Sequence, residues 1–135
     1  MKSYPTILLA DDDPDDQELI INAFSKVSKE HDLHIVNDGK EAIDFLSSSA
    51  DTMLPCLIVL DYNMPQMNGS EVLQKLKNDS RYKNIPKVIL STSNNPKYIE
   101  DCLVKGANAY RVKPDSFNQL VSIAKEMMML CTNSA

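Results

Sequence analysis

No apolar run in this chain approaches the roughly 20 residues that a membrane-spanning helix needs. The stretch Ile7–Ala10 is too short for a secretory leader, and Asp11 follows it at once. The expectation is a cytoplasmic protein with no membrane association. Clustered Lys and Arg are missing as well. The net charge is −5, the pI is about 4.9 and the basic residues are scattered, which excludes a nucleic-acid surface built on a basic patch. Cysteine is scarce. Cys56, Cys102 and Cys131 form no close pair and have no neighbouring His that would mark a metal site, so three buried thiols in a reducing compartment are expected. Repeats, low-complexity segments and internal linkers are lacking.

What is present suits one domain over residues 1–135, with a core over about 5–131 and a frayed polar tail, Thr132–Ala135. Apolar residues make up 43%, enough for a core that needs no disulfide or metal staple. With one domain filling residues 1–135, no output domain is expected. Thr6–Ala10, Leu33–Val36, Cys56–Leu60, Lys87–Leu90 and Ala109–Val112 read as strands, the third almost purely apolar, as in a strand covered on both faces.

Helical stretches lie between and after them. Asp13 can cap the first, with Pro14 at its first position, Asp15 and Asp16 in its first turn, and Leu19, Ile20, Ala23, Phe24 and Val27 facing inward. Asn37-Asp38-Gly39 opens the second and Gly69 precedes the third. The fourth follows Pro96, buries Ile99, Cys102 and Leu103, and stops at Gly106. Phe117, Leu120, Val121, Ala124, Met128 and Cys131 form the stripe of the fifth. Five strand–helix repeats predict an α/β, doubly wound parallel sheet with helices on both sides.

In such a sheet the ligand site lies beyond the carboxyl ends of the strands. Those ends carry Asp11-Asp12-Asp13, Asp61, Ser91 and Lys113-Pro114. Two carboxylates about 4 Å apart repel by roughly 4 kcal/mol at an effective dielectric near 20. A hard cation relieves this, and magnesium, which takes oxygen ligands and bridges to phosphate oxygens, suits the set. A carboxylate is also a competent nucleophile toward phosphorus, and the charge that develops needs a cation, a Lys and a hydroxyl nearby.

The segments Ile7–Asp13, Ile58–Pro65, Met67-Asn68-Gly69, Val88–Ser91 and Lys113-Pro114 resemble, in order, the signatures of the receiver domain of two-component response regulators. The resemblance covers nearly the whole chain, of the stand-alone type found in chemotaxis and phytochrome signalling. It implies a flavodoxin-like sheet in the order 2-1-3-4-5 with five helices. It makes Asp61 the phosphoacceptor and Asp11 and Asp12 the acidic pair, Asp12 ligating Mg2+ more directly and Asp11 indirectly. Asn63 would offer its backbone carbonyl to the metal, Ser91 and Lys113 would hold phosphoryl oxygens, and Pro114 would follow a cis peptide bond. Ser91 and Tyr110 would be the switch pair, Tyr110 turning inward on phosphorylation.

The implied partners are a sensor histidine kinase or histidine phosphotransfer protein and a downstream protein. The chain would be a monomer or weak homodimer and not a turnover enzyme. The output face would be built by helix four, strand five and helix five, with Tyr98 and Met129 as candidate contacts. Asn68 stands where the family commonly has Asp, and Asp115 where an apolar residue is common.

Other readings fit less well. A calcium loop starting at Asp11 would need Gly at its sixth position and Glu at its twelfth, where Asp16 and Asn22 stand. An aspartyl-phosphate phosphatase would need a cap or substrate-binding insertion. A flavodoxin-type module would need a glycine- and hydroxyl-rich phosphate loop where the acidic cluster lies. A degenerate receiver that binds partners without phosphorylation remains the alternative.

Overall fold

The apolar strands find cover on both faces. The computed structural model describes residues 4–133 and runs β1 Thr6–Ala10, α1 Pro14–Val27, β2 Asp32–Val36, α2 Gly39–Ser48, β3 Leu57–Leu60, α3 Gly69–Lys77, β4 Lys87–Ser91, α4 Pro96–Val104, β5 Ala109–Val112 and α5 Phe117–Asn133. All strand pairs are parallel and the order is β2-β1-β3-β4-β5, as expected. Successive strand residues point to opposite faces. Leu8, Ala10, Ile58, Leu60 and Ile89 join a core with Ala42, Leu46, Val72, Leu73 and Cys102 of α2, α3 and α4. Ile7, Leu9, Leu57, Val59, Val88 and Leu90 join a second core with Ile20, Ala23 and Phe24 of α1 and Leu120, Ala124 and Met127 of α5.

Register places the site. Ala10 pairs with Leu60, so Asp11 and Asp61 leave the sheet side by side, and the Asp61 amide donates to the Ala10 carbonyl at 2.9 Å. Ser91 pairs with Val112, and the next amide, of Lys113, donates to the Ser91 carbonyl at 2.7 Å. Helix starts follow local chemistry. The Asp13 carboxylate accepts from the Asp15 and Asp16 amides and Pro14 fills the first position of α1. Asn68 and Glu71 form a capping box at α3. Gly106, at φ 104°, takes the left-handed turn that ends α4.

Several expectations are corrected. Leu19 and Leu103 are each 46% exposed. Each lies one residue, about 100° of helix rotation, from the buried positions Ile20 and Cys102, outside the stripe that packs. The tail is not frayed from Thr132: α5 continues to Asn133, while Ser134 and Ala135 lie outside the described residues. Only Cys102 is a free buried thiol among the described residues, because Cys56 and Cys131 form a disulfide. The long α5 runs back to the amino end of the sheet, where Cys56 precedes β3, and brings their Cα atoms to 4.9 Å. No described peptide bond is cis, so Lys113–Pro114 is trans. Trans is the favoured isomer by about 0.5–1 kcal/mol, and the Lys113 side chain reaches its partners from it. No helix among the described residues is long and apolar enough to cross a membrane.

Candidate functional site at the carboxyl end of the sheet

Three strand ends and the first turn of α1 meet around one ammonium group. Lys113 Nζ donates to Asp16 Oδ2 at 2.8 Å, Asp11 Oδ2 at 2.9 Å and Asp61 Oδ2 at 3.2 Å. The side chains of Lys113, Asp11 and Asp61 are 11%, 1% and 9% exposed. Burial raises the Asp11 and Asp61 carboxyls above their ordinary range, and Lys113 pulls both back only in part. Burial alone would lower Lys113. The hydrogen bonds to Asp16 and Asp11 and the charges of Asp61 and Asp11 outweigh it and hold the ammonium well above its ordinary pKa.

Asp11 is fixed further. Its Oδ1 accepts from the Asp13 amide at 2.9 Å, and its backbone carbonyl accepts from Gln17 Nε2 at 2.6 Å. Asp12 is exposed at the mouth. Carboxylate oxygens of Asp11, Asp12 and Asp61 lie within 4.8 Å of one another. Three close oxygen donors of one sign, two of them poorly solvated, fit a hard divalent cation. Asn63 is exposed in the loop after Asp61, and its backbone hydrogen bond lowers the Asp61 carboxyl. That loop folds tightly against the strand end. The Gly69 amide donates to the Tyr62 carbonyl at 2.9 Å, and a Cβ on Gly69 would stand 2.6 Å from the Asp61 carbonyl oxygen. Any larger residue there would displace the backbone that carries Asp61.

Ser91 is fully buried, and its Oγ accepts from the Ser93 amide at 3.2 Å. Tyr110 is 8% exposed, and its hydroxyl donates to the Ser93 carbonyl at 2.8 Å. The ring expected to turn inward thus lies inward in this structure. Asp11, Asp12, Asp61, Asn63, Ser91 and Lys113 lie at this end of the sheet, while Tyr110 sits within β5 opposite Ile89 and reaches Ser93 through its hydroxyl. Asp16 is not among the residues expected at the site, because the sequence places it in the first turn of α1. The available signal was that Asp13 already caps the helix and Asp15 already supplies a charge there, which leaves Asp16 without a task. Tyr98, expected as a candidate contact on α4, is 37% exposed there, and one side of its ring stacks on Tyr62 with centroids 4.5 Å apart.

Comparison with known proteins agrees with this geometry. A family model described as the response regulator receiver domain matches residues 7–125. The chemotaxis protein CheY1 of Helicobacter pylori (strain ATCC 700392 / 26695) is 34% identical over 127 residues, covering 94% of this chain and 98% of that protein. The two-component response regulator ORR11 of Oryza sativa subsp. indica is 37% identical over 110 residues, 82% of this chain and 71% of that protein. Among solved structures, the phosphorylated cyanobacterial phytochrome response regulator RcpA is 33% identical, with a TM-score of 0.87 over 98% of this chain and 97% of that one. The Mn(2+)-bound form of the response regulator Rcp1 is 28% identical, with a TM-score of 0.82 over 97% and 96% of the two chains.

Proposed function

Because the chain belongs to the response regulator receiver domain family, we propose that Asp61 accepts a phosphoryl group from a histidine kinase or histidine phosphotransfer protein in a magnesium-dependent reaction. Receiver domains are signalling proteins rather than turnover enzymes, and they bind Mg2+ at their acidic pocket. The observation that carries the reading is the convergence of Asp11, Asp12 and Asp61 within 4.8 Å beside the Lys113 ammonium.

An oxygen of Asp61 attacks phosphorus in line with the bond to the donor. A P–O bond forms as the donor bond breaks, and the donor leaves with its electron pair. Asp12, Asp61 and the Asn63 carbonyl would hold the metal ion directly and Asp11 indirectly, and the ion would supply positive charge to offset that of the phosphoryl oxygens. Lys113 transfers one hydrogen bond from Asp61 to a phosphoryl oxygen. Ser91 Oγ turns from the Ser93 amide to another. That exchange reaches Tyr110 through Ser93, whose carbonyl holds the Tyr110 hydroxyl. The signal is then read on the face of α4, β5 and α5 by a downstream protein.

The test is intact mass after incubation with acetyl phosphate, with magnesium and then with chelator, for wild type and Asp61→Asn. One added phosphoryl group that needs both magnesium and Asp61 is the expected result. No addition under any condition overturns the reading in favour of a phosphorylation-independent receiver.

A further inference from the structure

The shortest contact of Lys113 is to the one carboxylate that phosphoryl acceptance does not use, Asp16 at 2.8 Å. An ammonium has three protons to donate and no acceptor. Here the three go to Asp16, Asp11 and Asp61, and the Asp61 contact is the longest at 3.2 Å. Phosphoryl transfer to Asp61 requires Lys113 to redirect one proton to a phosphoryl oxygen. Only the longest bond need be exchanged if the other two persist. Without Asp16 the four-carbon stem would be held only by Asp11 and Asp61, both of which must also serve the metal and the incoming phosphoryl group.

Asp16 is well placed for the task. It sits in the first turn of α1, whose start is pinned by the Asp13 cap and Pro14, and its side chain is 29% exposed. The Asp13 amide, to which a carboxylate at this position can reach back, donates to Asp11 Oδ1 instead, so the Asp16 carboxylate is not needed to cap the helix. Asp15, in the same turn, is exposed and supplies a first-turn charge of its own.

We propose that Asp16 is a positioning residue for phosphoryl transfer, its carboxylate holding the Lys113 ammonium between Asp11 and the phosphoryl group. The proposal rests on Asp61 being the phosphoacceptor. It predicts that Asp16 acts through Lys113 and through its charge, and not through α1.

The experiment measures the rate of phosphorylation by acetyl phosphate at saturating magnesium, read by intact mass. The proteins are wild type, Asp16→Asn, Asp16→Ser, Asp16→Glu and Asp15→Asn, with Asp16→Asn also made in a Lys113→Ala background. Asp16→Asn and Asp16→Ser should each slow the reaction about tenfold, the scale of one charge-assisted hydrogen bond. Asp16→Glu should restore it to within about threefold, and Asp15→Asn should leave it unchanged. The Asp16→Asn loss should disappear in the Lys113→Ala background, since the pair then has nothing left to couple. Wild-type rates in Asp16→Asn and Asp16→Ser, or an equal loss with and without Lys113, would overturn the inference while phosphorylation of Asp61 stands. A wild type that takes up no phosphoryl group overturns the phosphoacceptor reading, and this inference with it.

Discussion

Two lysines sit at opposite ends of the same sheet, Lys113 half-buried among carboxylates and Lys87 buried among carbonyls. Lys113, past the carboxyl end of β5, donates to Asp11, Asp16 and Asp61 and is held above its ordinary pKa. Lys87, at the amino end of β4, donates to the backbone carbonyls of Tyr82 at 2.7 Å and Ile85 at 2.8 Å, and burial lowers its pKa. The partners at the floor are neutral, permanent and part of the backbone. Those at the mouth are charged and can be exchanged for a metal ion or a phosphoryl oxygen. The Cys56–Cys131 disulfide ties α5 to the base of β3 at the floor as well. The domain is therefore fastened at one end and left exchangeable at the other, which suits a module that must change its contacts without losing its fold.

The largest effect should come from breaking the mouth. Lys113→Met leaves three close carboxylates without their cation. Removing one partner of a buried pair costs about 3–5 kcal/mol. Denaturant unfolding in chelator should show a loss near that size, and magnesium should return a large part of it. The matching change at the floor, Lys87→Met, orphans two backbone carbonyls and should cost about 2 kcal/mol, with no recovery on adding magnesium. Equal magnesium rescue of both variants would contradict the division into an exchangeable mouth and a fixed floor.

Reducing the disulfide sharpens the floor side. The bridge spans 75 residues, and closing a loop of that size restricts the unfolded chain by an amount worth about 2–4 kcal/mol. Dithiothreitol should lower the unfolding midpoint of wild type accordingly and leave Cys131→Ser where it was. The extent of phosphorylation should not change, because the bridge lies at the end of the sheet away from Asp61. A reduced protein that melts with the oxidised one would remove the bridge from the floor's fastenings.

The two lysines also differ in how stability follows pH. A lysine lowered on folding gives up its proton in the native state before it does in the unfolded chain. Between its folded pKa and the unfolded value near 10.5, the unfolded state binds more protons, so stability rises with pH there. Wild type should therefore gain stability relative to Lys87→Met as pH approaches 10.5 from below. A flat difference between the two proteins over that range would mean that Lys87 is not desolvated.

The sequence revealed what periodicity and strand ends encode. The alternation of apolar and amphipathic segments carried the doubly wound sheet, and the polar residues terminating β1, β3, β4 and β5 carried the location of the site. What escaped depended on contacts distant in sequence or on small rotations. Cys56 and Cys131 look unrelated until the length of α5 returns the chain to the base of β3. Asp16 is one acid among several until the turn that Asp13 caps aims it at Lys113, 97 residues away. Leu19 and Leu103 satisfy an apolar count but sit one residue outside the packed stripe. The trans Lys113–Pro114 bond and the inward Tyr110 are backbone and rotamer states, which residue type alone does not determine.

The smallest effect concerns Tyr98, an exposed residue of α4 that is also held by a neighbouring ring. Its ring lies nearly parallel to that of Tyr62, at 11°, and Tyr62 directly follows Asp61. An aromatic pair of this kind is worth about 0.5–1.5 kcal/mol beyond the area it buries. Tyr98→Ala should therefore lower stability by about 1 kcal/mol. Met129→Ala, at a side chain 60% exposed, should stay within about 0.5 kcal/mol of wild type. In a double-mutant cycle with Tyr62→Ala, the Tyr98 loss should shrink by most of its size, because the two rings stabilise each other. Additive losses would mean that the stack contributes nothing, and that Tyr98 is only an exposed side chain of α4. Coupled losses would make the same ring part of the loop behind Asp61. A change at Tyr98 could then no longer test partner binding alone, and Met129 would be the cleaner probe of the output face.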